Sequence, residues 1–358
     1  MSSMHLSQLH KWMLSSPPIE WAVNQLRELL IGALRQGPVP QHIAFVMDGN
    51  RRFARSHKIE TVEGHNLGFE ALARVLQNDP IFWIILEVCY KSGVKIVTVY
   101  AFSIENFKRS KYEVDALMAM AKIKLQQLSQ HGELLQKYGA SIRVLGQRDL
   151  VKPDVLEAVD RAVELTKNNG DCILNICFPY TSREEITSAI KSTVEDYSRP
   201  LSAQARPFSQ TRITQKIRSR NLSTSPLRST SPTPSTSDVD DSISSSTTLH
   251  TDSPNDGQEG PLYPDPETIT SSTIEEHLLT AGNPPLDLLI RTSGVKRLSD
   301  FMLWQCHEDT EIVFLDTLWP DFDLWSFLPV LVEWQWKQKH IEEKGSANGI
   351  KKPKIKVR

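Results

Sequence analysis

The sequence predicts an α/β fold with a central, mostly parallel β-sheet flanked by helices. Short apolar runs rich in β-branched residues alternate with segments of helical length, as in consecutive strand–helix units. The 358 residues are 39% hydrophobic, enough to bury a sizeable core. Polar residues suited to binding phosphate follow three of the runs, and ligands collect at the carboxyl ends of parallel strands. The predicted strands are 42–47, 95–101, 141–146, 172–177, 286–291 and 311–315.

Before the first strand, residues 17–36 form a predicted amphipathic helix. Ser16 can cap its start, and Gly37 with the following proline ends it. Its apolar face packs on the domain or a partner, or it lies in a membrane interface, and the sequence favours the two readings equally. The other predicted helices are 62–77, 80–92, 112–137, 152–168, 182–197 and 323–341.

Residues 199–266 interrupt the alternation. Between 222 and 254, 22 of 33 residues are Ser, Thr or Pro. Such a stretch cannot bury enough apolar area to offset its ordering entropy, so we expect a disordered insertion. It is either inert or phosphorylated at Ser–Pro and Thr–Pro pairs. The predicted organisation is an N-terminal helical segment 1–38, one α/β domain of 39–198 and 267–342, the insertion 199–266, and a basic tail 343–358.

Composition excludes several classes of protein. The net charge of -2 gives no global basic field for nucleic acid. The four cysteines form no CxxC pair, which argues against a zinc site or a disulfide framework. We expect neither a membrane span nor a signal peptide, since no apolar run approaches the ~18 residues that a span needs. Neither Gly-rich nucleotide-binding pattern occurs, which argues against a phosphotransferase.

Residues 42–55 contain the most informative stretch. A buried strand ends on Asp48, a Gly–Asn turn follows, and Arg51 and Arg52 open a helix. An acid that can hold Mg²⁺, free backbone N–H groups and fork-shaped cations would suit a diphosphate. On its own, however, this stretch fits an ordinary surface turn better.

Two further motifs complete a set. Residues 102–109 follow a second strand, and residues 291–301 follow a third and lead to a Leu-Trp-Gln and a Leu-Trp-Pro-Asp-Phe segment. Together, in this order, the motifs resemble those of the cis-prenyltransferases, and within them the eukaryotic dehydrodolichyl diphosphate synthases. The resemblance covers roughly residues 40–198 and 267–340. It implies a cis-prenyltransferase fold with a hydrophobic tunnel, which extends farnesyl diphosphate with isopentenyl diphosphate, needs Mg²⁺, and serves dolichol synthesis and protein glycosylation.

The resemblance also assigns residues to roles. It implies that Asp48 is the essential metal and diphosphate residue, and that Asn106 orients the condensing alkene and the departing proton. Glu311 matches a metal-binding glutamate only if one residue is inserted. The implied allylic diphosphate site contains Gly49, Asn50, Arg51, Arg52, Phe53, His65 and Arg109. The implied isopentenyl diphosphate site contains Ser103, Arg291, Arg297 and Ser299. Apolar residues between 72 and 86 are candidates for the tunnel wall.

The resemblance further implies a partner. Relatives carry a C-terminal Arg-x-Gly that completes a neighbouring subunit's site, and residues 351–358 contain none. We therefore expect a homologous partner subunit with that tripeptide, contacted through helix 323–341, although the tryptophans of this helix are equally explained as core. The resemblance also implies peripheral attachment to the cytosolic face of the endoplasmic reticulum membrane, with lipid droplets as a second location. The rival interpretation is a non-catalytic subunit of a prenyltransferase complex.

Overall fold

The computed structural model describes residues 17–56, 80–130, 133–200, 263–307 and 309–347. By their contacts they fall into two compact units, Met1–Ala189 with Leu278–Arg358, and Ile190–His277. The predicted helix 62–77, His65, most of the insertion and most of the basic tail lie outside the described residues. The described part contains no helix long and apolar enough to cross a membrane.

All six predicted strands form, within two residues of the expected ends. They are β1 His42–Val46, β2 Ile96–Tyr100, β3 Ala140–Leu145, β4 Cys172–Cys177, β5 Leu288–Arg291 and β6 Glu311–Phe314. They make one sheet of order β3-β4-β2-β1-β5-β6 in which every pair is parallel. The prediction of a mostly parallel sheet is confirmed, and the sheet is parallel throughout.

The helices in the described part of the chain largely follow the prediction. The predicted helix 112–137 corresponds to helices on either side of residues 131–132, which lie outside the described residues. The last helix continues beyond 341, and the short helix Ser271–Glu275 was not predicted. The helices are α1 Pro17–Leu34, α2 Asn50–Ser56, α3 Pro80–Ser92, α4 Lys111–Gln130, α5 Glu133–Lys137, α6 Pro153–Thr166, α7 Ser182–Tyr197, α8 Ser271–Glu275 and α9 Leu324–Ala347.

The sheet has a buried core on each face because β1 alternates its side chains between the two. Ile43 and Phe45 face the larger core, where Phe45 packs against Trp319, Phe322 and Phe327. The opposite face buries Ala44 and Val46 with neighbours such as Phe301 and Tyr180. Strands buried on both faces read as continuous apolar runs, which is why the sequence identified them.

The strand order reverses direction at β1. On one side of β1 lie β2, β4 and β3, in that spatial order. On the other side lie β5 and β6, which come later in the chain. In open parallel sheets the crevice at such a reversal is the usual ligand site. β1 and β5 are direct neighbours, with Val46 opposite Arg291. The first and third motifs therefore emerge side by side.

Candidate functional site

The turn after β1, residues 48–50, is shaped by one glycine. Gly49 has φ +105°, which side-chain-bearing residues rarely adopt. A Cβ at this position would lie 2.8 Å from Leu318 Cδ2 and 3.1 Å from Leu318 Cα. The backbone of Asp48 is fixed on the other side, since Trp319 N–H and the Thr292 hydroxyl donate to the Asp48 carbonyl at 3.0 and 2.8 Å. The turn is thus held close to two other loops.

The Asp48 carboxylate lies at the centre of this arrangement. Its Oδ2 accepts from Arg291 Nη2 at 2.7 Å, and its Oδ1 accepts from Gly49 N–H at 2.7 Å. Partial burial alone would raise the pKa of Asp48, but the hydrogen bonds from Arg291 and Gly49 lower it below its usual value. The side chain remains 38% exposed. Asp48 is therefore a charged carboxylate with room for a ligand.

Arg291 connects Asp48 to the third motif. Its side chain is only 3% exposed, and its Nη1 donates to the Ser299 hydroxyl at 2.7 Å and to the Arg297 carbonyl. The resemblance assigned Arg291 to a diphosphate clamp, whereas here its main contacts are with protein. Its Nε is buried without a partner among the described residues.

A second arginine links the same two motifs. Arg52, on α2, donates from Nη2 to the Ser293 carbonyl at 2.9 Å. Thr292 lies between, with its hydroxyl within 3.0 Å of both the Asp48 N–H and the Asp48 carbonyl. Residues more than 240 positions apart in the sequence thus form one site.

The loop after β5, residues 291–303, has an unusual backbone. Ser293, Ser299, Asp300 and Met302 have φ values of 85°, 53°, 59° and 47°. Left-handed angles are uncommon for residues with a side chain, and they persist only where surrounding contacts fix them. Ser299 accepts from Arg297 Nε at 3.3 Å as well as from Arg291. The loop thus presents a hydroxyl between two guanidinium groups.

The second motif contributes the opposite wall. Ser103 caps a 3₁₀ helix, Ile104–Lys108, by accepting from Glu105 N–H at 3.2 Å, and Asn106 lies within this turn. Arg109 follows it and lies 3.9 Å from Glu113, while Arg51 lies 4.0 Å from the same carboxylate. Burial and the nearby Arg51 lower the pKa of Arg109. Because both guanidinium groups lie near the same carboxylate, a bound diphosphate would offset their mutual repulsion.

An apolar cavity of about 230 Å³ opens beside the turn. Asn50 contributes to its lining, and Asn50 Oδ1 is buried without a partner among the described residues. Of the predicted tunnel residues, Phe82 and Trp83 line it, whereas Leu86 lies in the core. The remaining wall is built mainly by the end of β2 and by α4. Its other lining residues include Tyr100, Phe102, Leu117, Met120, Ala121, Leu125, Phe178 and Trp319.

The site fits a magnesium ion shared with a diphosphate. Mg²⁺ keeps several waters and takes one or two carboxylates plus substrate phosphates. Asp48 supplies one partly exposed, charged carboxylate next to free donor groups. Among the described residues there is no cluster of three or more acidic, His or Cys groups that would bind a metal by itself.

The metal pair predicted from Asp48 and Glu311 does not form within this chain. Glu311 opens β6 opposite Leu288, whereas Arg291 at the other end of β5 contacts Asp48. Three residues of strand separate those two ends by about 10 Å. Glu311 instead binds Lys337 Nζ at 2.6 Å. Within this chain Glu311 therefore lies away from Asp48, and a role for it in metal binding stays a prediction.

Most predicted site residues in the described part of the chain come together, and sequence reasoning missed several others. Thr292 and Leu318 shape the turn, and Glu113 pairs with Arg51 and Arg109. Thr292 and Leu318 lie inside quoted motifs but were given no role, and Glu113 lies four residues after Arg109, so the motifs and their flanks carried the signal. His65 and any contact it makes lie outside the described residues.

Comparison with known proteins agrees with this geometry. A family model described as putative undecaprenyl diphosphate synthase matches residues 46–342. A dehydrodolichyl diphosphate synthase complex subunit of Schizosaccharomyces pombe is 42% identical over 92% of this chain and 98% of its own length. A human subunit of that complex is 36% identical over 87% of this chain and 71% of its own length. An isoprenyl transferase of Thermus thermophilus is 30% identical over 91% of this chain and 96% of its own length.

The fold has a solved counterpart. Lavandulyl diphosphate synthase from Lavandula x intermedia, in complex with dimethylallyl diphosphate, aligns with a TM-score of 0.55 at 24% identity. The alignment covers 83% of this chain and 95% of that one. The range matched by the family model contains both Asp48 and Arg291. This chain therefore belongs to the cis-prenyltransferase family, that of the undecaprenyl diphosphate synthases.

Proposed function

We propose that the chain is a catalytic cis-prenyltransferase subunit that extends farnesyl diphosphate with isopentenyl diphosphate to long-chain dehydrodolichyl diphosphate, for dolichol synthesis and protein glycosylation. One observation carries the proposal: a charged Asp48, bound to Arg291, lies beside an apolar cavity whose wall includes Asn50. Charge for a diphosphate and space for a hydrocarbon thus meet at one turn. The names of the relatives, dehydrodolichyl diphosphate synthase subunits, support the choice of product.

The turn and α2 suit the allylic diphosphate. Arg52 contacts Ser293 beside Asp48, and Arg51 on the same helix and Arg109 both lie within 4.0 Å of Glu113, so three guanidinium groups are available for a diphosphate. A Mg²⁺ held by Asp48 would neutralise diphosphate charge as the carbon–oxygen bond ionises. The protein's own part is positioning and stabilisation of charge, which account for most of the catalysis in such transfers.

The loop after β5 suits the second diphosphate. Arg297 is exposed, and Ser299 lies between it and Arg291, so these groups can bind the diphosphate of isopentenyl diphosphate. Asn106 is then available to orient the alkene and, through the allylic diphosphate, the proton that must leave. The growing chain passes into the cavity, where burial of each CH₂ group contributes about 0.8 kcal/mol.

The alternative is a non-catalytic subunit that only stabilises a complex. Such a subunit would not need the residues of the catalytic motifs, yet the sequence contains all of Asp48, Arg52, Asn106, Arg291, Arg297 and Ser299. The test is incubation with farnesyl diphosphate, labelled isopentenyl diphosphate and Mg²⁺, with sizing of the lipid product. Polyprenyl diphosphate that disappears in Asp48→Asn supports catalysis, and no product in the presence of a partner would exclude it.

A homologous partner subunit with a C-terminal Arg-x-Gly belongs to the same proposal. Trp325, Val332 and Trp336 lie along one stripe of α9 and are 50%, 54% and 59% exposed. Among the described strands β6 is an edge of the sheet, and its Glu311 contacts Lys337 of α9. An apolar stripe beside an open strand edge is a surface that a related fold could cover. Relatives named as complex subunits support this partner.

We also propose peripheral attachment to the cytosolic face of the endoplasmic reticulum membrane, with lipid droplets as the second location. Leu26 and Leu29 of α1 are 45% and 71% exposed, and the proposed product is a lipid. Fluorescence of a tagged chain, compared with Leu26→Ser/Leu29→Ser, would test the location. A diffuse wild-type signal would contradict it.

A further inference from the structure

The last part of the loop after β5 needs external support. Ser299, Asp300 and Met302 are left-handed within four residues, and none is glycine. Such a backbone relaxes unless other elements fix it. Ser299 is the residue whose hydroxyl lies between Arg291 and Arg297. Whatever fixes this backbone therefore also fixes the second diphosphate site.

The support comes from the first two residues of α7. Ser182 N–H donates to the Asp300 carbonyl at 2.8 Å, and Ser182 Oγ accepts from Leu303 N–H at 2.8 Å. Arg183 binds the Asp300 carboxylate twice, from its backbone N–H at 3.0 Å and from Nε at 2.8 Å. We call Ser182 and Arg183 the α7 latch. It holds the loop on both sides of Asp300, the residue that follows Ser299.

The same latch reaches the second motif. Arg183 Nη2 lies 3.4 Å from Glu105 Oε1, in the 3₁₀ helix that Ser103 caps. Residue 103 also pairs with Tyr180 in an isolated bridge, two residues before the latch. One guanidinium group thus contacts both the loop after β5 and the second motif.

We infer that Arg183 is a positioning residue for isopentenyl diphosphate, acting through Asp300 on Ser299 and Arg297. Its side chain is 72% exposed while that of Asp300 is 12% exposed. An exposed ion pair contributes little to the stability of a fold, so loss of Arg183 should change loop geometry rather than folding. The identity of the ligand rests on the proposed function; the existence of the latch does not.

The kinetic test compares Arg183→Gln with a matched control. Arg148 is also an exposed arginine paired with an aspartate, Asp160, and takes no part in the site. We expect Arg183→Gln to raise KM for isopentenyl diphosphate roughly 5- to 20-fold, the range for one weakened charge-assisted contact, with KM for farnesyl diphosphate and Tm unchanged. Arg183→Lys should restore part of the loss. Arg148→Gln should match the wild type.

A double variant asks whether Arg183 acts through Asp300. Asparagine tolerates left-handed angles, so Asp300→Asn removes the charge while keeping the backbone. If Arg183 works through this carboxylate, Arg183→Gln should add little to Asp300→Asn. Full additivity of the two KM effects, or equal KM in Arg183→Gln and Arg148→Gln, would overturn the inference.

Hydrogen exchange tests the latch without any turnover. Exchange at the Leu303 and Ser182 amides should be faster in Arg183→Gln and unchanged in Arg148→Gln. Equal exchange in both variants would show that no latch exists. If the exchange difference is found but the wild-type chain incorporates no isopentenyl units in the presence of a partner, the latch stands and the proposed function, with the assigned ligand, is overturned.

Discussion

The turn after β1 has one left-handed residue, Gly49, whereas the loop after β5 has four that are not glycine. Both are held by residues distant in the chain: Thr292 and Trp319 fix the turn, and Arg52 and the α7 latch fix the loop. They differ in the backbone, because the only left-handed position of the turn is a glycine, whereas the left-handed residues of the loop carry side chains and need those contacts. If the turn and the loop hold the two diphosphates as proposed, mutations should affect the two sites differently.

Asp48→Asn should have the largest effect, because it removes the charge at the turn that both loops share. We expect kcat to fall on the order of 10²–10³-fold, as for a lost electrostatic group. Because the Arg291 and Gly49 contacts lower the pKa of Asp48, wild-type activity should not depend on its titration near neutral pH. Asp154→Asn, at an exposed ion pair of α6, is the control. Turnover near that of the control would refute the role of Asp48.

Gly49→Ala should have the second-largest effect on turnover. The added Cβ meets Leu318, and φ +105° is strained for alanine. Gly93 is a matched control because it has the same φ of +105° with nothing within 4 Å of its Cβ. Both variants should lose roughly 1–2 kcal/mol of unfolding free energy from backbone strain. Only Gly49→Ala should also lose turnover, by roughly 10- to 100-fold if displacement of the turn costs ~1.4–2.7 kcal/mol. Equal turnover in the two would mean that the close approach to Leu318 is unimportant.

Arg297→Ala should weaken the binding of one substrate only. Arg297 is exposed and contacts Ser299, so we expect KM for isopentenyl diphosphate to rise roughly 10- to 100-fold, a loss of ~1.5–3 kcal/mol. The thermal midpoint should not move, since an exposed arginine contributes little packing. Arg148→Ala serves as control. A comparable rise in KM for farnesyl diphosphate would show that the two sites are not separate.

We expect the smallest effect to be the difference in stability between Ser299→Gly and Ser299→Ala. Both remove the hydroxyl that Arg291 and Arg297 contact, but only glycine relieves the left-handed backbone. We expect Ser299→Gly to be the more stable by about 1 kcal/mol in denaturant unfolding, at equal loss of affinity for isopentenyl diphosphate. If alanine were as stable as glycine, the loop would carry no strain.

Sequence reasoning predicted the strands well because strands buried on both faces are continuous apolar runs. It placed Asp48 and Arg291 after strands, but periodicity does not say which strands are neighbours. The β1–β5 pairing, and therefore the Asp48–Arg291 contact, became visible only in the fold. The distance between Glu311 and Asp48 also became visible only in the fold, since a motif offset does not tell at which end of a strand a residue lies. The α7 latch was missed because Ser182 and Arg183 belong to no predicted motif.

The most direct test of the account is a crossed substrate titration on Arg52→Ala and Arg297→Ala with the partner present. KM is measured for farnesyl diphosphate at saturating isopentenyl diphosphate, and then the reverse. If the turn and α2 hold the allylic diphosphate and the loop after β5 holds the other, Arg52→Ala should raise mainly the first KM and Arg297→Ala mainly the second. Parallel increases of both constants in both variants would contradict the assignment of one diphosphate to each loop.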